Sequence, residues 1–222
     1  GGIVAANIPV DAATAEKLSE LFLEIVVAPD FEIGALEIFK KKKNLRVMRA
    51  PRAPREYLES VSVDGGLLVQ ESNRKLLEKW DVVTRLAPES ADIPDMLFGM
   101  RAVCYVKSNA IVVVKDRAAV GIGGGETNRI WAAELALSRS ARTISAAAEN
   151  AAKVSINPGG APARVLASDA FFPFPDVVEA AADAGIKTII QAGGSQNDNL
   201  SIEACDKLGL AMVFTGTRHF KH

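Results

Sequence analysis

Apolar residues recur every three or four positions in six stretches of the chain and form short continuous runs between them. The first pattern is typical of helices that bury one face, and the second of strands that are buried on both faces. Helices are predicted over residues 12–26, 31–39, 94–106, 127–138, 175–184 and 199–208. Strands are predicted over residues 3–6, 26–28, 45–48, 61–63, 67–69, 110–115, 118–122, 165–168, 188–190 and 211–214. This alternation predicts an α/β fold in which helices are layered on a sheet.

Two turns make the predicted sheet a mixed one. Asp64-Gly65 separates one pair of strands and Asp116-Arg117 another, which predicts two antiparallel hairpins within the sheet. Residues 49–55 hold two prolines and three arginines and are expected to form a loop. Residues 141–163 are rich in alanine and polar residues, and we expect them to be mobile or a family-specific addition.

Composition narrows the classes of function. The formal net charge is -1, so no global field attracts the chain to nucleic acid or to an anionic membrane. No apolar run approaches the ~20 residues of a membrane-spanning helix. Cys104 and Cys205 lie far apart and belong to no CxxC motif, so neither a disulfide framework nor a zinc module is indicated. We interpret both cysteines as buried packing residues.

Two segments in the middle of the chain are candidate ligand sites. The glycine-rich run from Gly121 to Arg129 lies between a predicted strand and a predicted helix, where backbone N–H groups can bind an anion. Glu126 occupies the position of the third glycine of the dinucleotide fingerprint, and its carboxylate would repel a pyrophosphate, so a plain tight turn is the favoured interpretation. Asn109 opens a buried strand, where its amide can orient a ligand or act as a structural cap; both alternatives stay open.

Three further segments follow the strands of the final third. Three Phe and two Pro occur between Phe171 and Pro175, which indicates a rigid aromatic loop suited to a flat heterocycle. Asp176 after this loop can instead cap the next helix. The small residues of segment 191–197 permit close backbone approach to a ligand. In the basic tail, Arg218 is the best candidate for bidentate contact with a phosphate or carboxylate.

Several catalytic motifs are absent from the sequence. It contains no HxE with a downstream CxxC, as zinc deaminases have, no GxSxG elbow and no Walker loop. Its two histidines, His219 and His222, lie within the last four residues. Zinc-dependent deamination and serine or P-loop chemistry are therefore excluded from the candidate functions.

Four segments together resemble the AICAR transformylase family of purine biosynthesis. They are Lys107-Ser108-Asn109, the glycine turn ending in Arg129-Ile130, the stretch Leu166 to Phe174, and the tail Arg218 to His222. Residues 26–31 and 41–44 are similar too, and the resemblance covers nearly the whole chain, most weakly over residues 141–163. In that family the activity is one half of a bifunctional protein whose other half is IMP cyclohydrolase.

The resemblance implies a duplicated, zinc-free, cytidine-deaminase-like fold, with residues 1–70 ending the first subdomain and residues 71–222 forming the second. It implies formyl transfer from 10-formyltetrahydrofolate to AICAR by a cytoplasmic homodimer that uses no metal and binds neither nucleic acid nor membrane. The positions it assigns to the nucleotide are Gly1, Glu24, Lys43, Asn109, Arg129, Phe171 and Arg218, with Asn109 also supporting catalysis. The positions it assigns to the folate are Ile130, Asp176, Ser195 and Gln196.

The catalytic Lys-His pair of the family lies in a segment upstream of Gly1. We therefore expect the chain to be a portion of a longer protein or to need a companion segment that carries the pair, and to transfer no formyl group alone. The leading alternative is a catalytically silent module that holds nucleotide or folate or supports assembly. A more distant alternative is a nicotinamide-dependent enzyme that uses the glycine turn.

Overall fold

A computed structural model describes residues 1–51, 58–153 and 162–221. These residues form two compact units, Gly1–Ser72 and Asn73–His222. Part of the loop predicted over 49–55, and residues 154–161 of the segment expected to be mobile, lie outside the described residues. The assignment of the units to deaminase-like subdomains stays a prediction.

The first unit contains a three-stranded parallel sheet with two helices. In chain order its elements are β1 (Gly2–Ala5), α1 (Ala12–Ser19), β2 (Leu23–Ala28), α2 (Ile33–Lys40) and β3 (Arg46–Arg49), and β2 lies between the other two strands. The Asp11 carboxylate caps α1 by accepting a hydrogen bond from the Thr14 N–H at 2.7 Å. Ala15, Val26 and Phe39 pack in the core of this unit.

The helix predicted over residues 12–26 is wrong beyond Ser19. Residues 23–28 pair with β1 on one side and β3 on the other, so their backbone groups are satisfied in the sheet rather than in a helix. Phe22, which continues the helical spacing in the sequence, is 81% exposed. The spacing therefore persists past the end of the helix without marking a buried face.

A hairpin of β4 (Leu58–Val63) and β5 (Gly66–Glu71) confirms the turn predicted at Asp64-Gly65. Gly65 has φ +80°, a conformation that side chains rarely adopt. The expectation that this hairpin joins the main sheet is wrong, because it forms a separate two-stranded sheet whose residues are all exposed. Polar residues interrupt β4 at Glu59, Ser60 and Ser62, whereas a strand covered on both faces needs a nearly continuous apolar run.

The second unit is built on a six-stranded mixed sheet. Its elements are β6 (Asp81–Val82), α3 (Ile93–Val103), β7 (Ile111–Lys115), β8 (Ala118–Gly123), α4 (Arg129–Lys153), β9 (Val165–Ser168), α5 (Asp176–Asp183), β10 (Thr188–Gln191), α6 (Asp198–Leu208) and β11 (Ala211–Phe214). The strand order is β6-β11-β10-β9-β7-β8. Strands β9, β10 and β11 are parallel, and β6, β7 and β8 pair antiparallel with their neighbours. The predicted mixed α/β sheet, including the Asp116-Arg117 hairpin, is confirmed.

Helices cover both faces of this sheet. On one face Val113, Leu166 and Ile189 pack with residues of α4, α5 and α6. On the other face Val112 and Ile190 pack with the methionines of α3. This arrangement explains why the central strands are apolar at consecutive positions rather than at alternate ones.

Helix α4 continues to Lys153, well past the end predicted at residue 138. Residues 141–153, for which no helix is predicted, therefore form the last part of α4. The physical reason lies in the same composition that suggested mobility, because alanine has the strongest intrinsic preference for the helix. The last strands and helices, by contrast, lie within a residue or two of their predicted bounds.

Candidate functional site

Three loops of the second unit leave the sheet at the same edge. Because β9, β10 and β11 are parallel neighbours, their carboxyl ends lie side by side. Phe171 follows β9, Ser195 and Gln196 follow β10, and Arg218 follows β11. In open α/β sheets ligands bind at this edge. The fold thus brings four of the predicted ligand residues to one edge of the sheet.

Arg218 and Phe171 are in direct contact. The guanidinium carbon of Arg218 lies 4.6 Å from the centroid of the Phe171 ring, within the range of a cation–π interaction. Gly194, at φ +94°, lies against the same arginine, since a Cβ atom there would be 3.5 Å from Arg218 Nη2. All three loops therefore meet around one exposed guanidinium group.

The loop after β10 is held by short hydrogen bonds. Asn197 Nδ2 donates to the Pro173 carbonyl at 3.1 Å, and the Asn197 N–H donates to Ser195 Oγ at 3.1 Å. The Gly194 N–H donates to Asp198 Oδ2 at 2.7 Å. Asp198 Oδ1 is buried without a hydrogen-bond partner among the residues that the structure describes. The sequence analysis predicts no role for Asp198. An acidic residue in the first turn of a helix, directly after a glycine-rich loop, is nevertheless a pattern that could have marked Asp198 as a residue that holds this loop.

A buried ion pair lies beneath these loops. Arg129, at the start of α4, pairs with Asp169, and their side chains are 6% and 0% exposed. Arg129 Nη1 also donates to Ser168 Oγ at 3.2 Å and to the Ala110 carbonyl at 3.3 Å, and Nη2 donates to Asn109 Oδ1 at 2.8 Å. The positive end of the helix dipole disfavours a cation at this position. The Asp169 carboxylate therefore supplies the counter-charge that a buried guanidinium requires.

No role is predicted from the sequence for Asp169 or for Ser108, which donates to Asp169 Oδ2 at 2.5 Å. The available signal is the position of Asp169 directly after an entirely buried strand, because a buried carboxylate requires a partner. That partner, Arg129, lies 40 positions away in the sequence. Local pattern alone does not identify it.

The Asn109 side chain is held from both ends of its amide. Its Oδ1 accepts from Arg129, and its Nδ2 donates to the Glu126 carbonyl at 2.9 Å. These contacts support the structural interpretation of Asn109. An amide has two donor hydrogens and two acceptor lone pairs, so capacity for a ligand remains, and direct contact with one stays a prediction.

Packing accounts for the glycine-rich turn without a phosphate. A Cβ atom on Gly121 would lie 2.0 Å from the Ala136 carbonyl oxygen, and one on Gly123 would lie 1.9 Å from that of Ala132. Both oxygens belong to α4, so these glycines allow the helix to lie directly against β8. The glycine turn therefore no longer favours the alternative of a nicotinamide-dependent enzyme.

His219 is fully buried and both of its ring nitrogens are engaged. Nε2 lies 3.1 Å from the Leu76 carbonyl and Nδ1 lies 3.0 Å from Asn73 Oδ1. Burial lowers the pKa of His219, while the Leu76 carbonyl and the Asp169 charge oppose this shift. Each ring nitrogen thus has an oxygen acceptor for its N–H, the Leu76 carbonyl for Nε2 and Asn73 Oδ1 for Nδ1. His219 is thus placed to hold the tail rather than to take a proton from a substrate.

The remaining predicted folate residues lie around this edge in different settings. Ile130 is half-buried and packs against the core below α4. Asp176 is the first residue of α5, and its Oδ1 accepts from the Val177 N–H at 2.8 Å. Gln196 is exposed. The N-cap residue of α5 is Pro175, so the alternative in which Asp176 caps this helix is wrong, although its carboxylate satisfies one N–H of the first turn.

Three predicted nucleotide residues belong to the first unit. The Gly1 nitrogen lies 3.6 Å from Glu24 Oε1. Lys43 is exposed and lines a pocket of about 250 Å³ together with Leu18, Ser19, Leu21, Phe22, Leu23, Lys41, Lys42, Asn44 and Leu45. Their meeting with Phe171 and Arg218 in one site stays a prediction.

The cysteines take no part in this site. Burial raises the pKa of Cys104 to about 11 and that of Cys205 to about 12, so both thiols are neutral at physiological pH. Full burial confirms the packing interpretation for Cys205, whereas Cys104 is only partly buried. Within residues 1–51, 58–153 and 162–221, no cluster of three or more His, Cys, Asp and Glu residues is placed to hold a metal ion. Over the same residues no helix is long and apolar enough to cross a membrane.

The model of a known family matches residues 1–139 of the chain, and that family is described as the AICARFT/IMPCHase bienzyme. The chain belongs to the AICARFT/IMPCHase bienzyme family. The match covers the first unit together with Asn109 and Arg129 of the second.

Individual proteins align with the chain over all 222 of its residues. The chain is 55% identical to the "Bifunctional purine biosynthesis protein PurH" of Clostridium botulinum (strain Okra / Type B1) and 53% identical to the PurH of Clostridium perfringens (strain SM101 / Type A). It spans 40% of the length of each of them. A solved structure described as "protein ybgI, unknown function" aligns with 98% of the chain and 72% of its own at 13% identity, but its TM-score of 0.23 supports no conclusion about the fold.

Proposed function

We propose that the chain is the carboxyl-terminal part of the AICAR transformylase domain of the bienzyme. In this proposal it supplies most of the surface that binds nucleotide and folate during formyl transfer. The observation that carries the proposal is the Arg218 guanidinium over the Phe171 ring, at a sheet edge backed by the buried Arg129–Asp169 pair. An aromatic face beside a fixed cation suits a flat heterocycle that bears a phosphate.

The proposed reaction moves a formyl group between two nitrogens. The 5-amino nitrogen of AICAR forms a bond to the formyl carbon of 10-formyltetrahydrofolate, and the bond between that carbon and N10 breaks. One proton leaves the amine, and one arrives at N10. The amine is a weak nucleophile because it is conjugated with the imidazole and the carboxamide, so it needs a base for its proton and a donor for the formyl oxygen.

Each proposed ligand contact uses a feature of the structure. Phe171 offers a ring face, Arg218 offers an exposed guanidinium for the phosphate, and the spare donor and acceptor of Asn109 suit a carboxamide. In the first unit Lys43 adds charge for the phosphate, with Gly1 and Glu24 beside the nucleotide. On the folate side Asp176 and Ser195 offer acceptors to a ring that carries N–H donors, and Ile130 and Gln196 complete that surface.

The same proposal includes the finer properties that the resemblance implies. The units are taken as zinc-free, cytidine-deaminase-like subdomains, and the protein is taken as a cytoplasmic homodimer. A segment that carries the Lys-His pair, in the same or a companion polypeptide, supplies the base. Loss of a general base typically costs a factor of ~10²–10⁴ in rate, so the 222-residue chain alone should show no appreciable transfer.

One observation favours the second candidate, a module that binds nucleotide or folate without catalysis. The chain has two histidines, and His219 is buried with both nitrogens engaged. His222 lies outside the described residues. In this candidate the chain is a binding surface whose chemistry is carried out elsewhere.

A chimera tests the proposal. The corresponding 222 residues of the C. botulinum relative are replaced by this chain, and release of tetrahydrofolate from 10-formyltetrahydrofolate with AICAR is measured. We expect transfer by the chimera, at least tenfold weaker AICAR affinity in Arg218→Ala, as for loss of a charge-assisted bond, and a smaller loss in Phe171→Ala. A folded chimera without transfer, next to an active parent, would refute the proposal. Full AICAR affinity in Arg218→Ala would remove the phosphate role of Arg218.

A further inference from the structure

A second pocket opens in the second unit, between the start of that unit and the carboxyl end of α3. It has a volume of about 470 Å³ and is lined by Asn73, Arg74, Leu76, Arg101, Cys104 and Tyr105. We refer to it as the Arg101 pocket. Its volume falls within the range of roughly 300–1,000 Å³ that is typical of small-molecule sites. Its lining includes none of the positions assigned above to nucleotide or folate.

The Arg101 pocket is cationic. Its lining carries two guanidinium groups and no carboxylate, and the ammonium group of Lys221 lies 5.8 Å from the centroid of the Tyr105 ring beside it. Arg101 lies in the last turn of α3, where the helix dipole favours a cation. Arg74 and Lys221 come from other segments. Three positive groups from three segments favour a ligand with several negative charges.

Tyr105 gives the pocket an aromatic wall. Its side chain is 80% exposed, so it contributes little to the core. Leu76 adds an apolar surface to the same lining. An exposed tyrosine next to arginines suits a ligand that combines a flat ring with anionic groups.

We propose that the Arg101 pocket binds a nucleoside di- or triphosphate, with the phosphates at Arg74 and Arg101 and the base against Tyr105. The neutral thiol of Cys104 adds no opposing charge. The proposal concerns a site apart from the Arg218–Phe171 edge and does not rest on formyl transfer.

The Arg101 pocket is linked to that edge through His219. The pocket residues Asn73 and Leu76 both bond the His219 ring, and the His219 N–H donates to the Asp169 carbonyl at 2.8 Å. Asp169 in turn pairs with Arg129. A ligand that orders segment 73–76 therefore also stabilises the position of His219 and of the tail that carries Arg218.

Calorimetry on the 222-residue chain tests the proposal, with ATP, pyrophosphate and inorganic phosphate as probes. Arg101→Gln removes one phosphate contact and Tyr105→Ala removes the ring, and both residues are exposed, so the fold should survive, as circular dichroism will check. Arg142→Gln, on the exposed face of α4, is the charge-matched control. Arg218→Ala separates the Arg101 pocket from the other site.

We expect ATP to bind, with Arg101→Gln raising its Kd about tenfold or more, as for loss of a charge-assisted bond. Arg142→Gln and Arg218→Ala should leave this Kd within about twofold. Tyr105→Ala should weaken ATP but not pyrophosphate. No ATP binding at millimolar concentration, an equal effect of Arg101→Gln and Arg142→Gln, or loss of binding in Arg218→Ala would overturn the proposal. Equal affinity for ATP and pyrophosphate, unchanged by Tyr105→Ala, would overturn the assignment to a nucleotide.

Discussion

Replacement of Asp169 by asparagine tests whether the buried Arg129 network stabilises the second unit. The substitution keeps the shape of the side chain but leaves a guanidinium charge, 6% exposed, without its counter-ion. Removal of one partner from a buried ion pair typically costs about 3–5 kcal/mol. Because Asn109, Ser168 and Ala110 still accept hydrogen bonds from Arg129, we expect a loss near the lower end, about 3 kcal/mol. That is a large part of the roughly 5–15 kcal/mol by which domains are stable.

Urea denaturation followed by tryptophan fluorescence measures this loss. Trp80 and Trp131, the two tryptophans of the chain, both lie in the second unit and report on its unfolding. With a typical dependence of about 1–3 kcal/mol per molar urea, the midpoint should fall by about 1 M or more. Asp81→Asn is the matched control, since Asp81 pairs with Lys79 at about half exposure, where ion pairs contribute at most about 1 kcal/mol.

The double variant Asp169→Asn/Arg129→Met should recover part of the loss, because it leaves no buried charge without a partner. A midpoint for Asp169→Asn equal to that of Asp81→Asn would refute the inference that the pair is buried and needed. No recovery in the double variant would show that packing, rather than the unpaired charge, causes the loss.

Two further predictions concern His219 and the glycine turn. Burial lowers the pKa of His219 from its ordinary value of 6.5. As the pH falls, the unfolded chain therefore protonates this histidine before the folded chain does. The free energy of unfolding should decrease as the pH drops below about 6.5, until the pKa of the folded state is passed. A pH series of urea midpoints checks this, and an unchanged slope in His219→Gln would contradict it. Gly123→Ala places a methyl group 1.9 Å from the Ala132 carbonyl oxygen and should cost about 1–3 kcal/mol or more, measured as a lower melting temperature. Gly66→Ala, which meets no atom within 4 Å, should have little effect, and equal effects of the two changes would count against close packing of α4 on β8.

Much of the site follows from the sequence only through a resemblance. The motifs around Phe171 and Arg218 resemble the AICAR transformylase family, and the chain belongs to the AICARFT/IMPCHase bienzyme family. The contact between the two side chains depends on the parallel order of β9, β10 and β11. Phe171 and Arg218 are 47 positions apart in the sequence. The guanidinium carbon of Arg218 lies 4.6 Å from the centroid of the Phe171 ring only because these strands end at one edge. No local pattern specifies that distance.

The sequence by itself determines the elements whose causes are local. The buried strands β9 and β11 are short apolar runs with clear ends, and the Asp64-Gly65 turn has the chemistry of a tight hairpin, so each lies where the pattern predicts it. Tertiary structure decides where pairing or packing competes with the pattern. Residues 23–28 leave the helical spacing because β1 and β3 lie on either side of them, and Asp169 meets Arg129 across 40 positions because a buried carboxylate needs a cation. Propensity acts over a few residues, whereas the satisfaction of buried polar groups depends on the whole fold.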